Sequence, residues 1–270
     1  MNGTAVGQLP VQRGFGETSR TDLWWVKPLA VFVGLSFFFI GYLPWAMLQG
    51  KNYWFGNYLS PVYSPELWGD SPHAWFGAGR PPFWPRWLIY TPGLLILWMP
   101  GGFRFTCYYY RGAYYKAFWQ DPTACAVGEP RNSYLGERYF PLVIQNIHRY
   151  FMYIAVAFLF ILAYDAWHAL WFADGLGGEE FGIGVGTLVI TGNFLLLSSY
   201  TLGCHSFRHL IGGRLTSISK NKVRYSCYEG CSALNRRHQL FAWMSLFWVA
   251  FTDFYIRMCA MGVWHDWRIL

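Results

Sequence analysis

Tyr150-Phe151-Met152-Tyr153-Ile154-Ala155-Val156-Ala157-Phe158-Leu159-Phe160-Ile161-Leu162-Ala163 is apolar or aromatic throughout, with Arg149 before it and Asp165 just beyond it. A helix rises about 1.5 Å per residue, so about 20 mostly apolar residues cross about 30 Å of hydrocarbon. The segment from Arg149 to Phe172 meets that length. Four more segments meet it too: 26–48, 86–110, 182–207 and 239–263. The first has Pro28 near its start and Pro44 near its exit, and the second is interrupted by Pro92 and Pro100-Gly101-Gly102. Such breakers survive in a membrane where neighbouring helices or water satisfy the freed backbone groups. The sequence therefore predicts an all-α integral membrane protein of five transmembrane helices.

Composition agrees. Hydrophobic residues make up 54% and charged residues 13%, the latter about half the usual share of a soluble domain. Aromatics reach 21%, and Trp and Tyr collect at membrane–water interfaces. The mean hydropathy of only +0.19 leaves room for several polar connections outside the bilayer. A net charge of +7 would suit nucleic acid in a soluble protein. Here it follows from basic cytoplasmic loops, and no nucleic-acid partner is expected.

Those loops set the orientation. The connection from Arg208 to Arg237 holds Arg208, Arg214, Lys220, Lys222, Arg224, Arg236 and Arg237 against Glu229 alone. The connection between the third and fourth spans holds Asp174, Glu179 and Glu180 and no base. The positive-inside rule places the first in the cytoplasm and the second outside. The amino terminus is then cytoplasmic and the carboxyl terminus outside, in a multi-pass protein of the inner (plasma) membrane. Residues 1–25, polar and without an apolar signal segment, read as a cytoplasmic arm to a five-helix domain over 26–270. The Pro-, Gly-, Trp- and Tyr-rich stretch 49–85 reads as an external cap on the interface.

On this topology the metal-type residues gather on one face. Cys107, Cys125, His148, Cys204, His205, His209, Cys227, Cys231 and His238 all fall toward the cytoplasm. A single membrane Cys is ordinarily packing, and an interfacial His ordinarily meets headgroups; neither explains the clustering. His205 and His209 are four apart and share a helical face. No Cys-x-x-Cys pair is present, as structural zinc would favour. Mixed thiolate and imidazole ligation fits a Rieske-type [2Fe-2S] cluster, whose imidazoles raise the potential toward that of a quinone. Cys107 and Cys204 are the preferred thiolates and His209 and His238 the preferred imidazoles. His205 and Cys125 are held in reserve, and His148 is expected beside the site or at headgroups. Cys227 and Cys231 read as plain thiols. Arg104, Arg111, Arg208 and Arg237 should surround the site and favour its reduced form. One haem b, with His209 or His205 opposite His238, is the alternative cofactor.

Asp253, Asp165 and His168 lie within predicted spans toward the outer side. Ionisable groups there default to a functional expectation, here a quinone site with proton exchange. An interfacial salt bridge or a water-linked structural pair is the competing expectation. A transporter would show paired broken helices, whereas only the second segment is visibly broken.

Four motifs carry a resemblance: Phe105-Thr106-Cys107-Tyr108-Tyr109-Tyr110-Arg111, Gln145-Asn146-Ile147-His148-Arg149-Tyr150-Phe151, Cys204-His205-Ser206-Phe207-Arg208-His209 and Leu234-Asn235-Arg236-Arg237-His238. With five spans, the chain from about residue 25 onward resembles the single-subunit, cytochrome-b-type membrane anchor of bacterial succinate dehydrogenase and fumarate reductase. More narrowly, it looks like variant anchors that lack the usual haem histidines. The resemblance implies flavoprotein and iron–sulfur subunits docked on the basic cytoplasmic face, and electrons from succinate passing through this chain to a quinone. The first two spans have no histidine, which implies a cluster in place of two haems; His238 falls where the family has its inner haem ligand. No dinucleotide-binding glycine fingerprint is present, so flavin chemistry belongs to a partner and this subunit alone should not act on succinate. A cofactor-free anchor is a further alternative.

Overall fold

The computed structural model describes residues 26–114, 139, 142–174, 177–213 and 220–270. The expected amino-terminal arm and Cys125 lie outside them.

Most of the described residues are helical. The first long element comprises α1 (Val26–Ser36), a π turn (Phe37–Tyr42) and α2 (Leu43–Gln49). Pro44 has no N–H to offer the preceding turn, and the widened turn sits just ahead of it. Gly50, at φ 60°, closes the helix in the left-handed region.

Residues 50–91 form the cap. A short antiparallel hairpin pairs β1 (Trp54–Phe55) with β2 (Tyr58–Leu59). Tyr53 and Tyr63 stack at 4.2 Å beneath it. Fully buried Glu66 accepts the Tyr53 hydroxyl at 2.7 Å and the Ser71 hydroxyl. A Cβ on Gly69 would fall 1.7 Å from Glu66 Oε1, so only glycine allows this closure. Burial lowers the pKa of His73 below the ordinary imidazole value, and its Nε2 lies 3.2 Å from the Gly56 carbonyl oxygen.

Residues 86–110 do not form one helix, contrary to the sequence expectation. The chain is irregular to Thr91, then forms α3 (Pro92–Ile96), α4 (Trp98–Thr106) and, past Cys107, α5 (Tyr108–Tyr114). Pro92 starts the helix as a first-turn proline can, and Pro100 withholds the N–H that the Ile96 carbonyl would accept. Next comes a 3-10 turn (Leu142–Ile147) leading into α6 (His148–His168). This helix stops before Phe172, because Trp171–Ala173 forms strand β3 against β4 (Glu179–Phe181). α7 (Val185–Leu202) follows, then α8 (His205–Gly212), α9 (Lys222–Arg236) and α10 (His238–Ala260).

α7 packs between α6 and α10, and α4 lies along α6. Gly102 sets the α4–α6 approach: a Cβ there would meet the Phe151 ring at 2.3 Å. The carboxyl-terminal tail folds back over the start of α7. Asp266 accepts Gly186 N at 2.8 Å, the Tyr58 hydroxyl at 2.8 Å and the Tyr255 hydroxyl at 2.7 Å.

Among the described residues three helices are long and apolar enough to cross a membrane: Leu29–Gln49, Val143–His168 and Val185–Leu202. Large apolar side chains on them point outward, Ile40, Phe160 and Leu195 among them. That is the exposure a lipid-facing surface has and a water-facing one avoids. α10 is long as well, but Asp253, Arg257 and its Trp and Tyr residues dilute its apolarity.

Candidate functional site

Two thiols and two imidazoles meet at one end of the bundle. Cys107 is the extended residue between α4 and α5, and Cys204 the extended residue before α8. His148 and His238 are the first residues of α6 and α10. His148 Nε2 lies 3.1 Å from Cys204 Sγ, and His238 Nε2 lies 3.5 Å from Cys107 Sγ. Both thiols are 2% exposed, so water does not compete for them.

Aromatic rings hold both imidazoles in place. Phe103 lies flat on His148 at 4.9 Å, and Tyr200 lies flat on His238 at 4.9 Å. The two rings meet edge to face at 5.5 Å. The His148 tautomer follows from its neighbours. The Thr106 hydroxyl donates to the Gly102 carbonyl at 2.7 Å, so it accepts from His148 Nδ1 at 2.8 Å. The lone pair is thereby left on Nε2, which faces Cys204. On the other side, His238 Nδ1 is buried without a hydrogen-bond partner.

Buried Arg104 reaches the same region. It donates to the Tyr110 hydroxyl at 2.7 Å, the Ala242 carbonyl at 3.2 Å and Ser245 Oγ at 2.9 Å. Its guanidinium lies 4.7 Å from the Tyr200 ring. Arg104 also lines an apolar cleft of about 160 Å³ between the first helix and α4–α5, with Leu35, Phe39, Phe105, Tyr110 and Tyr114.

The other sequence candidates fall elsewhere. His205 and His209 are exposed on α8 and face each other, Nε2 to Nε2 at 3.0 Å. Cys231 is buried and Cys227 exposed on α9. His148, expected beside the site or at headgroups, lies against Cys204. The signal for it was positional: His148 and His238 each open a long helix directly behind a basic connection. Among the described residues no three His, Cys, Asp or Glu side chains close on a single ion; the four donors come as two pairs.

Asp253, Asp165 and His168 each have partners of their own. Asp253 is fully buried, accepting Arg257 Nε at 2.7 Å, the Tyr42 hydroxyl at 2.7 Å and the Ser60 hydroxyl. Asp165 accepts the Ser64 hydroxyl, and the His168 ring lies 4.3 Å from that of Tyr164.

Long apolar helices with outward-facing apolar side chains, joined through buried polar ends, define a helical integral membrane subunit. The chain belongs to the family described as actinobacterial succinate dehydrogenase subunit SdhC, whose model matches residues 26–262. It is therefore a membrane anchor subunit of succinate dehydrogenase. Among solved structures, a chain of the Mycobacterium smegmatis Sdh1 complex in the apo form is similar at 43% identity and a TM-score of 0.80. The match covers 97% of this chain and 98% of that one. No curated protein matches by sequence.

Proposed function

We propose that this anchor is itself an electron carrier, passing electrons from a peripheral iron–sulfur subunit through a Rieske-type [2Fe-2S] cluster to a quinone. Cys107, Cys204, His148 and His238 would hold the cluster. The observation that carries this is the donor set: two thiols and two imidazoles from four separate segments, brought together in a dry site. That is the ligand chemistry of a cluster in which two histidines replace two cysteines. The orphaned His238 Nδ1 agrees, since buried polar atoms in native proteins are ordinarily satisfied. When bound, the cluster supplies one-electron transfer. The chain does the rest: Thr106 fixes the His148 tautomer, and Phe103 and Tyr200 clamp the imidazoles and exclude water.

The quinone end is supported by the wholly apolar cleft beside Arg104, which suits the isoprenoid part of a quinone. Five spans follow if α3–α5 and α10 join the three apolar helices. The basic 208–237 segment then faces the cytoplasm of the plasma membrane. The similar chain belongs to the Sdh1 complex, which supports flavoprotein and iron–sulfur partners on that basic face.

The test is electron paramagnetic resonance with an optical spectrum on the full chain in detergent, reduced with dithionite. A rhombic signal of low average g without haem bands is the expected result. Soret and alpha bands would replace the cofactor with haem b, and a blank spectrum would reduce the chain to a cofactor-free anchor.

A further inference from the structure

Among the described residues two arginines are buried, and only one of them has a counter-charge. Arg257, 1% exposed, is paired with Asp253 at 2.7 Å. Arg104, 7% exposed, donates only to neutral oxygens on Tyr110, Ala242 and Ser245. Among the described residues no carboxylate pairs with it. A buried charge is costly unless it is paired, so a cation kept in this position should meet a negative charge in the working protein.

The direction from which that charge comes can be read from the stacking. The Arg104 guanidinium lies 4.7 Å from the Tyr200 ring, and the Tyr200 ring lies flat on His238 at 4.9 Å. His238 in turn touches Cys107. The other arginines of this face are engaged differently: Arg208 donates to the Tyr228 hydroxyl at 2.7 Å, and Arg111 stacks on Tyr108 at 4.8 Å.

We infer that Arg104 is a positioning residue that sets the reduction potential of this site, its charge favouring the reduced state through the Tyr200–His238 stack. The inference rests on the cluster assignment above. Two ferric ions, two sulfides, two thiolates and two neutral imidazoles sum to zero charge. One electron from the partner iron–sulfur subunit brings the sum to minus one, with no proton required. Arg104 therefore has no counter-charge before electron arrival and has one after it. Across a dry protein layer with few mobile charges, this attraction is weakly screened.

The experiment is a redox titration followed by electron paramagnetic resonance, on the full chain assembled in its complex. Arg104→Gln should lower the equilibrium constant for reduction about tenfold, which is about 59 mV for a one-electron couple. Arg104→Lys, which keeps the charge, should restore most of the difference. If Arg104→Gln fails to assemble, Ser245→Asp tests the same point by placing a carboxylate against the guanidinium, and the potential should again fall. A wild-type signal whose potential stays unchanged in Arg104→Gln or in Ser245→Asp would overturn the role of Arg104 and leave the cluster standing. A wild-type protein with no such signal would overturn the cluster assignment, and this inference with it.

Discussion

Cys107 and Cys204 occupy matching breaks in the backbone. Each is extended between helical segments, at φ −60°, ψ 131° and φ −66°, ψ 140°. Each N–H reaches back three residues, Cys107 to the Arg104 carbonyl and Cys204 to the Thr201 carbonyl, both at 3.2 Å. Each carbonyl accepts from the arginine four residues on, Arg111 at 2.8 Å and Arg208 at 3.0 Å. A cysteine inside a regular helix would point along the helix face; at such a break its direction is set independently of the turns on either side. The chain uses the same local solution twice to bring two thiols to one place.

Removing the group that orients His148 should loosen the site without removing a donor. Thr106→Val keeps the shape of the side chain but leaves His148 Nδ1 without its acceptor at 2.8 Å. Groups that orient a ligating histidine are worth about 10–100-fold in metal affinity. We expect iron retention after a chelator wash to fall within that range, with the helical circular dichroism unchanged. Full iron retention would mean that His148 is not a ligand.

The two histidine pairs should separate in the same assay. His148→Ala or His238→Ala should abolish the rhombic signal, because each removes a buried imidazole that faces a thiol. His205→Ala and His209→Ala should leave the signal in place, because those rings face each other on an exposed helix. Loss of the signal in His209→Ala alone would restore the ligand set that the sequence favoured.

How much of this was legible depended on the kind of residue. Uniform apolarity marked the first, third and fourth long helices, because lipid imposes it along the whole length of a span. The broken path through Pro92 and Pro100 was visible as breakers but not as three separate helices. The break at Cys107 was hidden, since an extended cysteine has no distinctive neighbour in the sequence. Spacing favoured His205 and His209, four apart on one face, yet their helix turns that face outward. The surroundings of His148 were not legible, because its partners, Thr106, Phe103 and Cys204, come from distant segments.

The approach of α4 to α6 should govern the Thr106–His148 contact. A Cβ on Gly102 would sit 2.3 Å from the Phe151 ring. Gly102→Ala must push the ring or the helix aside, an overpacking that costs about 1–3 kcal/mol. Thermal unfolding in detergent should show a lower Tm, and the iron signal should weaken as Thr106 moves off His148. Phe151→Leu in the same chain should recover part of both. A Gly102→Ala protein with wild-type Tm would mean that the two helices are looser than this contact implies.

Asp253 offers a choice between structural support and quinone chemistry. Its oxygens accept from Arg257, Tyr42 and Ser60, and Arg257 also donates to the Lys51 and Ala46 carbonyls, both at 2.9 Å. The pair thus ties α10 to the end of α2 and to the start of the cap. Arg257→Met would leave a carboxylate buried without its cation, and breaking a buried pair in this way costs about 3–5 kcal/mol. Its Tm should drop sharply, and proteolysis of the cap should accelerate. Asp253→Asn keeps partners for Tyr42 and Ser60 and leaves Arg257 with a neutral acceptor, so its Tm should fall less. If the pair is structural, quinone reduction by the folded Asp253→Asn complex should keep its wild-type rate. A lost rate at unchanged Tm and unchanged iron signal would instead return Asp253 to the proton path that its place in a predicted span first suggested.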